Sequence, residues 1–325
     1  MIVVTGGAGF IGSALVHGLN AKGLKDIWVV DQMDHPAKQK NLDPLTFDRL
    51  VGKDNFLNDV LEKKLPQCDA ILHMGACSST TETDEVFLTK NNFEYTRHLA
   101  GFCLEKGIRF IYASSAATYG AGENGYSDDE SGLKKLKPLN LYGDSKQKFD
   151  LWAQDQGVLE NMVGLKYFNV YGPNEYHKQD MQSMVRKGFL QVRDTGKLRL
   201  FKSHKPEYSD GGQERDFLHI KDAVAMTLFF LEQQGIAGIF NVGSGKARNW
   251  NDLAKSIFAA MNQPLNIEYI DMPQQIRNQY QYHTCSDTEK IHNAGYSQPV
   301  LSLEEGIEDY VTQYLIPEKH LMLPE

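Results

Sequence analysis

The chain has 325 residues, 41% hydrophobic and 23% charged, which is enough apolar material for a sizeable core and a length that suits about two domains. Its formal charge is −8, from 34 Lys and Arg against 42 Asp and Glu, and no long basic run appears, which argues against a nucleic-acid partner. Four cysteines without paired spacing fit a reduced, cytoplasmic compartment, and the longest apolar run, Ala223 to Leu231, is far short of the roughly 18 residues a membrane span needs.

Taken in order, Met1–Gly6 is a β-branched run that passes straight into a turn, so it reads as a strand rather than a secretory signal. Gly12–Gly23 reads as a helix and Asp26–Asp31 as a second strand. Asp69–Ala76, Ile108–Ser115 and Met162–Gly172 are further apolar runs, and Phe93–Gly107 between them is a helix with a glycine stop. Strands alternating with helices predict a parallel sheet covered on both faces. After Pro173 the texture turns polar and basic, with Gly and Pro interruptions, which predicts a smaller domain against the carboxyl ends of the sheet. His219–Gly235 reads as a helix returning to the main domain, and Gly238–Gly245 as a strand and turn. The expected division is 1–168 plus 214–242 for the larger domain and 169–213 plus 243–325 for the smaller. The end of the chain, Ile316–Glu325, is expected to be a loose tail.

Thr5–Ser13, "TGGAGFIGS", joins the first strand to the first helix and spaces Gly6, Gly9 and Gly12 three apart. One glycine permits the tight turn, one lets backbone N–H groups approach a pyrophosphate, and one allows close helix–strand packing. The helix N-terminus adds partial positive charge. Asp31, ending the second strand, stands where the ribose hydroxyls of a dinucleotide need an acid. The fold class is therefore α/β, a Rossmann-type doubly wound parallel sheet with a smaller mixed α/β substrate domain. Asp31 favours NAD, but Lys38 and Lys53 each offer an ammonium for the 2′-phosphate of NADP. The ten histidines show no metal-ligand spacing, so no metal is expected.

Ser114 and Ser115 end the Ile108–Ser115 strand, where ligands of open parallel sheets bind. Tyr142 and Lys146, in "YGDSK", are four apart and share a helix face. Together these suggest hydride transfer. A carbinol carbon gives up hydride only if its hydroxyl gives up a proton, and a phenolate can take that proton. A free phenol has a pKa near 10, so a neighbouring ammonium and the positive nicotinamide ring are together expected to favour the phenolate.

"TGGAGFIG", "YASSAATYG" and "YGDSK" together resemble the extended short-chain dehydrogenase/reductase superfamily of nucleotide-sugar enzymes. "HMGACSSTTETD", "KNNFEYT", "KYFNVYGPNEYHKQDM" and "GGQERDF" resemble, more narrowly, its ADP-glycero-manno-heptose 6-epimerases, over essentially the whole chain. The resemblance implies inversion at C6 of the heptose in ADP-D-glycero-D-manno-heptose, for lipopolysaccharide core precursor synthesis. It implies NADP held through turnover, with NAD the alternative, and a homo-oligomer, commonly a pentamer. It places cofactor contacts at Phe10, Ile11, Asp31, Gln32, Lys38, Lys53, Met74, Gly75, Ala76, Cys77, Ser78, Asn91, Lys146, Val170 and Lys178. Substrate contacts fall at Ser115, Asn169, Asp180, Lys187, Phe201, Lys202, Ser203, His204, Arg215 and Tyr280. Met74, Asp180 and Lys187 differ from the residues common in that family. Two opposite presentations of one carbon are easier to serve with two acid/base groups, and the resemblance makes Tyr142 the first and Lys178 the second. Lys178 then needs a lowered pKa, and its alternative role is phosphate pairing. Arg215 suits a bidentate pyrophosphate clamp, or a salt bridge to Asp216 or Asp222. A 4,6-dehydratase lacks support, because Ala116 and Ala117 stand where its acid and base belong. A UDP-hexose 4-epimerase remains the rival reading.

Overall fold

The computed structural model describes residues 1–277 and 280–323. Strands of near-continuous apolar sequence must be covered on both faces, and the sheet they form here is. The strands are β1 (Ile2–Thr5), β2 (Ile27–Asp31), β3 (Arg49–Gly52), β4 (Ala70–His73), β5 (Arg109–Ser115), β6 (Val163–Tyr167), β7 (Asn169–Tyr171), β8 (Leu198–Phe201), β9 (Glu214–His219), β10 (Gly238–Val242), β11 (Ala247–Asn249) and β12 (Ile267–Ile270). Among the helices are α1 (Phe10–Ala21), α2 (Pro36–Leu42), α3 (Lys53–Leu61), α4 (Glu85–Leu88), α5 (Tyr95–Lys106), α6 (Leu141–Asp155), α7 (Met184–Thr195), α8 (Ile220–Glu232) and α9 (Trp250–Ala260).

Seven strands make one parallel sheet in the order β10-β6-β5-β4-β1-β2-β3. Successive side chains point to opposite faces. Val4, Val29, Leu72 and Ile111 therefore pack with α1 and α8. Val3, Val30, Ile71 and Phe110 pack with α3, α5 and α6 on the other side. The strand order reverses at β1, the kind of switch point beside which such sheets bind ligands.

The second lobe has its own core, in which Val185, Phe189 and Val192 of α7 meet Leu253, Ile257 and Phe258 of α9. It holds a three-stranded sheet, β11-β9-β7, and the parallel pair β12-β8. Met162–Gly172, expected as one apolar run, is in fact two strands. The backbone breaks at Phe168, whose N–H donates to the Val242 carbonyl at 3.0 Å, and β7 leaves for the small sheet. The division expected at 214 moves as well. Residues 214–219 form β9 and pair with β7 and β11, so the return to the large sheet begins with α8.

Up to Leu323 the C-terminal tail is not loose, and residues 324–325 of that expectation lie outside the described residues. Tyr176 Oη donates to the Lys319 carbonyl at 2.7 Å, the Leu321 N–H to Asn174 Oδ1 at 2.9 Å, and His17 Nε2 bonds the Met322 carbonyl at 3.0 Å. Leu321 is buried in the core beneath α1. One apolar side chain with somewhere to go fixes a segment that has no regular periodicity of its own. Among the described residues no helix is long and apolar enough to cross a membrane.

Candidate active site

The turn after β1 is built by its glycines. Gly6 has φ +64°, and a Cβ there would lie 2.7 Å from the amide nitrogen of Gly75. At Gly12 a Cβ would lie 2.0 Å from the Gly6 carbonyl oxygen, so helix and turn approach only because that atom is missing. Asp31, at the end of β2, accepts from the Ala8 N–H at 2.9 Å and the Gln32 N–H at 2.7 Å, which fixes the turn from the neighbouring strand. The result is a cradle of backbone N–H groups at the start of α1, shaped for a pyrophosphate. Gly12→Ala should remove bound dinucleotide: nucleotide released on denaturing the purified variant should drop at least about tenfold, because the cradle must open to admit the methyl. Full occupancy would show that the cradle is not the binding element.

Above it lies a cleft of about 760 Å³ between the two lobes. Gly6, Gly9, Phe10, Ile11 and Gly12 line it from below, with Asp31, Gln32, Lys38 and Lys53 at one end. Met74, Gly75, Ala76, Cys77 and Ser78 line it from the loop after β4, and Asn91, Ser115, Tyr142 and Lys146 from the helices and strand beyond. Asn169, Val170, Lys178 and Asp180 reach it from the second lobe.

Two neighbouring asparagines face inward here, where residues 89–94 form a π-helical turn that underwinds the chain between α4 and α5. Asn91 accepts from Lys53 Nζ at 2.9 Å. Asn92, fully buried, grips both backbone groups of Cys77, at 2.9 and 3.0 Å, and donates to Ser145 Oγ at 3.0 Å. The loop after β4 is thereby locked to α6.

Asn140 caps α6 by accepting from the Gly143 N–H at 2.8 Å, and that sets Tyr142 in the first turn, half-buried beside Ser115. Lys146, buried one turn on, donates to the Ala113 carbonyl at 2.8 Å, and among the described residues no hydrogen bond joins it to Tyr142. Burial lowers Lys146 to about 8, against the opposing pull of Asp150 and Cys77. The phenol is not acidified by the protein alone. Burial raises Tyr142 above its ordinary value of 10, the nearby Ser115 hydroxyl pulls the other way, and Cys77 adds to the rise. The acidification expected above relies on the nicotinamide ring charge as well as Lys146, and the protein's own groups leave the phenol raised, with loss of water the largest cause.

Asp150, a further turn along the same face, was not anticipated. It is fully buried and accepts from Tyr112 Oη at 2.9 Å, Ser114 Oγ at 2.7 Å and Lys166 Nζ at 2.8 Å. Lys166, also fully buried, donates to Thr118 Oγ1 at 2.6 Å, and Thr118 in turn donates to the Ser115 carbonyl at 2.8 Å. An acid and a lysine sixteen residues apart in sequence carry no motif, and their pairing follows only from β6 lying beside β5.

Lys178 sits in a tight turn, 176–181, with Nζ 5.2 Å from the centre of the Phe10 ring. Burial holds its pKa below the ordinary lysine value of 10.5, with Glu175 opposing and Lys187 reinforcing. That is the condition a proton-transferring lysine needs. His177 also lines the cleft and was missed. Burial first, then the charges of Lys38 and Lys178, push it down to about 4, so it stands there as a neutral ring.

Lys38 is engaged. Its Nζ donates to Asp31 Oδ1, Asp34 Oδ1 and the Gln32 carbonyl, each at 2.9 Å. Burial works against its charge, but Asp31 and Asp34 overcome that and hold the ammonium firmly protonated.

A second hollow of about 850 Å³ adjoins the first, sharing Met184 and Trp250 with it. Phe201 and Tyr280 line it. Arg215, buried, has its guanidinium 5.1 Å from the Tyr280 ring and 5.5 Å from the Trp250 ring. It makes no ion pair among the described residues, so the competing salt bridges to Asp216 and Asp222 are not formed; Asp216 is taken by Ser244 and Ser286 instead. Arg215, Lys187, Lys202, Ser203 and His204 line neither space. Lys187 reaches back to the Asp180 carbonyl, Lys202 pairs with Asp271 at 3.2 Å, and His204 bonds Tyr282 at 2.7 Å.

Residues 2–243 match the NAD dependent epimerase/dehydratase family. A protein of Nitratidesulfovibrio vulgaris (strain DP4) named ADP-L-glycero-D-manno-heptose-6-epimerase is 52% identical over 316 residues, covering 97% of this chain and 98% of the relative. One of the same name from Fusobacterium nucleatum is 46% identical over 328 residues, covering 98% and 99%. The crystal structure of Helicobacter pylori ADP-L-glycero-D-manno-heptose-6-epimerase superposes with a TM-score of 0.82 at 28% identity, covering 96% of this chain and 95% of that one.

Proposed function

The chain belongs to the NAD dependent epimerase/dehydratase family, and from that premise we propose that it inverts C6 of the heptose in ADP-D-glycero-D-manno-heptose to give ADP-L-glycero-D-manno-heptose. The observation that carries this reading is that Tyr142 and Lys178 come from opposite lobes and line one cleft above the glycine cradle. A single carbon held there meets a proton-transferring group on either side.

The residues present fit a nicotinamide dinucleotide: a backbone cradle that a Cβ would fill, an acid at the end of β2, and lysines at the cleft's end. Held there, it would supply a reversible hydride acceptor for C6, so that no net redox occurs. Tyr142 Oη takes the hydroxyl proton in one presentation of the sugar, and Ser115 orients that oxygen. Lys146, anchored on Ala113, supplies positive charge beneath the phenol. Lys178 Nζ serves the opposite presentation. We assign the nucleotide to the aromatic hollow and its pyrophosphate to Arg215, which stacks against the Tyr280 ring that lines the hollow and has no carboxylate partner among the described residues. NADP is the cofactor we favour, with NAD as the alternative, because Lys38 and Lys53 both face the cleft. We further take the enzyme to act in the cytoplasm, as a homo-oligomer, on a lipopolysaccharide core precursor.

An NMR assay of C6 configuration on ADP-D-glycero-D-manno-heptose, with UDP-galactose as control, tests the assignment. Turnover of UDP-galactose alone would reverse it. Lys178→Met should lower turnover at least about a hundredfold in both directions, the range for loss of an acid/base group. A change confined to cofactor affinity would reduce Lys178 to a binding residue.

A further inference from the structure

We propose that the end of the chain is a strap that positions Lys178: Lys319–Leu321 hold the 174–182 loop against the glycine-rich turn, with His320 and Asn174 as positioning residues. This rests on the reading that gives Lys178 a part in proton transfer.

The loop does not hold its own shape. Asn174 has φ +77° and Gln179 has φ +45°, and neither is a glycine. Such backbone persists only where its surroundings impose it. The surroundings here are two fully buried amides. Asn41 Nδ2 donates to the carbonyls of Ala8 and Asn174, both at 3.0 Å, which joins the cradle directly to the loop. With both amide hydrogens used, its Oδ1 is an acceptor, and His320 Nδ1 meets it at 2.7 Å. His320 therefore carries its proton on Nδ1. Asn174 Nδ2 donates to Ser13 Oγ in the first turn of α1 at 2.9 Å, and its Oδ1 accepts the Leu321 N–H.

Four segments meet at these two side chains: the cradle, α1, the loop and the tail. Tyr176, two residues before Lys178, closes the arrangement. Its ring stands edge-on to His320 with centroids 4.7 Å apart, and its hydroxyl donates to the Lys319 carbonyl. A buried amide that loses a partner bears the full cost of its lost hydration. Taking away the tail's contribution therefore sets Asn41 and Asn174 looking for new partners, and the loop they fix moves with them. Lys178 stands over Phe10 only because the loop is held there.

The test uses the full-length protein with its cofactor bound. His320→Ala should lower kcat about tenfold or more, since displacements of an ångström can cost up to about a hundredfold. KM should stay within about twofold, and deuterium uptake at 174–182 should quicken. His320→Asn places an amide nitrogen where Nδ1 was and should restore both kcat and slow exchange. Unchanged exchange in His320→Ala, or a kcat that His320→Asn fails to restore, would overturn the strap. Exchange needs no substrate. If the wild-type protein proved inactive on the ADP-heptose, the proposed function would fail while the strap was still judged by the loop.

Discussion

Tyr142→Phe should lose at least about a hundredfold in turnover while the purified protein keeps its dinucleotide, because in the proposed reaction the phenol takes the hydroxyl proton. The substitution keeps the ring, and with it the packing of the first turn of α6. Burial raises the phenol above its ordinary value of 10, so the protein's own groups do not by themselves favour the phenolate. Bringing it to about 7 requires at least roughly 4 kcal/mol of added stabilisation, the cost from 10 alone. Lys146 is available for that work: burial brings it only to about 8, so its charge is present at neutral pH and is lost as pH rises past that value. The remaining stabilisation must arrive with the bound dinucleotide, whose ring is positive in its oxidised form. Turnover by NMR, alongside the absorbance of bound nicotinamide, checks both halves of the expectation. A variant that epimerises at the wild-type rate would remove Tyr142 from the chemistry.

Lys166→Met should destabilise the fold by about 3–5 kcal/mol, because it leaves Asp150 as a buried charge without its counter-ion. Both side chains are fully excluded from water, 2.8 Å apart, and Lys166 also lies 5.2 Å from the Tyr119 ring. Two donors, Tyr112 and Ser114, remain on the carboxylate but carry no full charge. Lys166→Met combined with Asp150→Asn removes both charges, and a neutral, well-packed replacement of a buried pair costs far less than half of one. The double variant should therefore be more stable than the single. Urea unfolding with an unchanged slope measures this. A single variant as stable as wild type would show that Asp150 finds another way to shed its charge. The pair lies directly behind Ser115, so its value to the protein is in the placement of that residue against α6 as much as in stability.

The parts legible from sequence are those governed by short-range rules. The cradle was readable because a strand, three spaced glycines and a helix start fall within a dozen residues, each with a steric reason. Tyr142 and Lys146 were readable because helix periodicity alone puts them on one face. Phe168 hid the switch between sheets, since an apolar residue in an apolar run gives no sign that the backbone turns. Asp150 and Lys166 were invisible for a different reason: a buried acid looks like any other until the strand carrying its partner is placed beside it. His177 lay one residue from Lys178, yet a lone histidine carries no geometry of its own. The tail misled because it carries no helical or strand periodicity, while its placement depends on one leucine and two asparagines contributed from far upstream.

The small sheet takes β7 from before the excursion through α8 and β10's neighbourhood, and β11 from after it. Neither lobe is thus a cassette. A chimaera with one crossover between relatives, placed anywhere in the stretch from Asn169 to Asn249, would give the two outer strands of that sheet different parents. Transplanting sugar preference requires two inserts exchanged together. During synthesis the same arrangement delays completion: the ribosome delivers β7 long before its sheet can close.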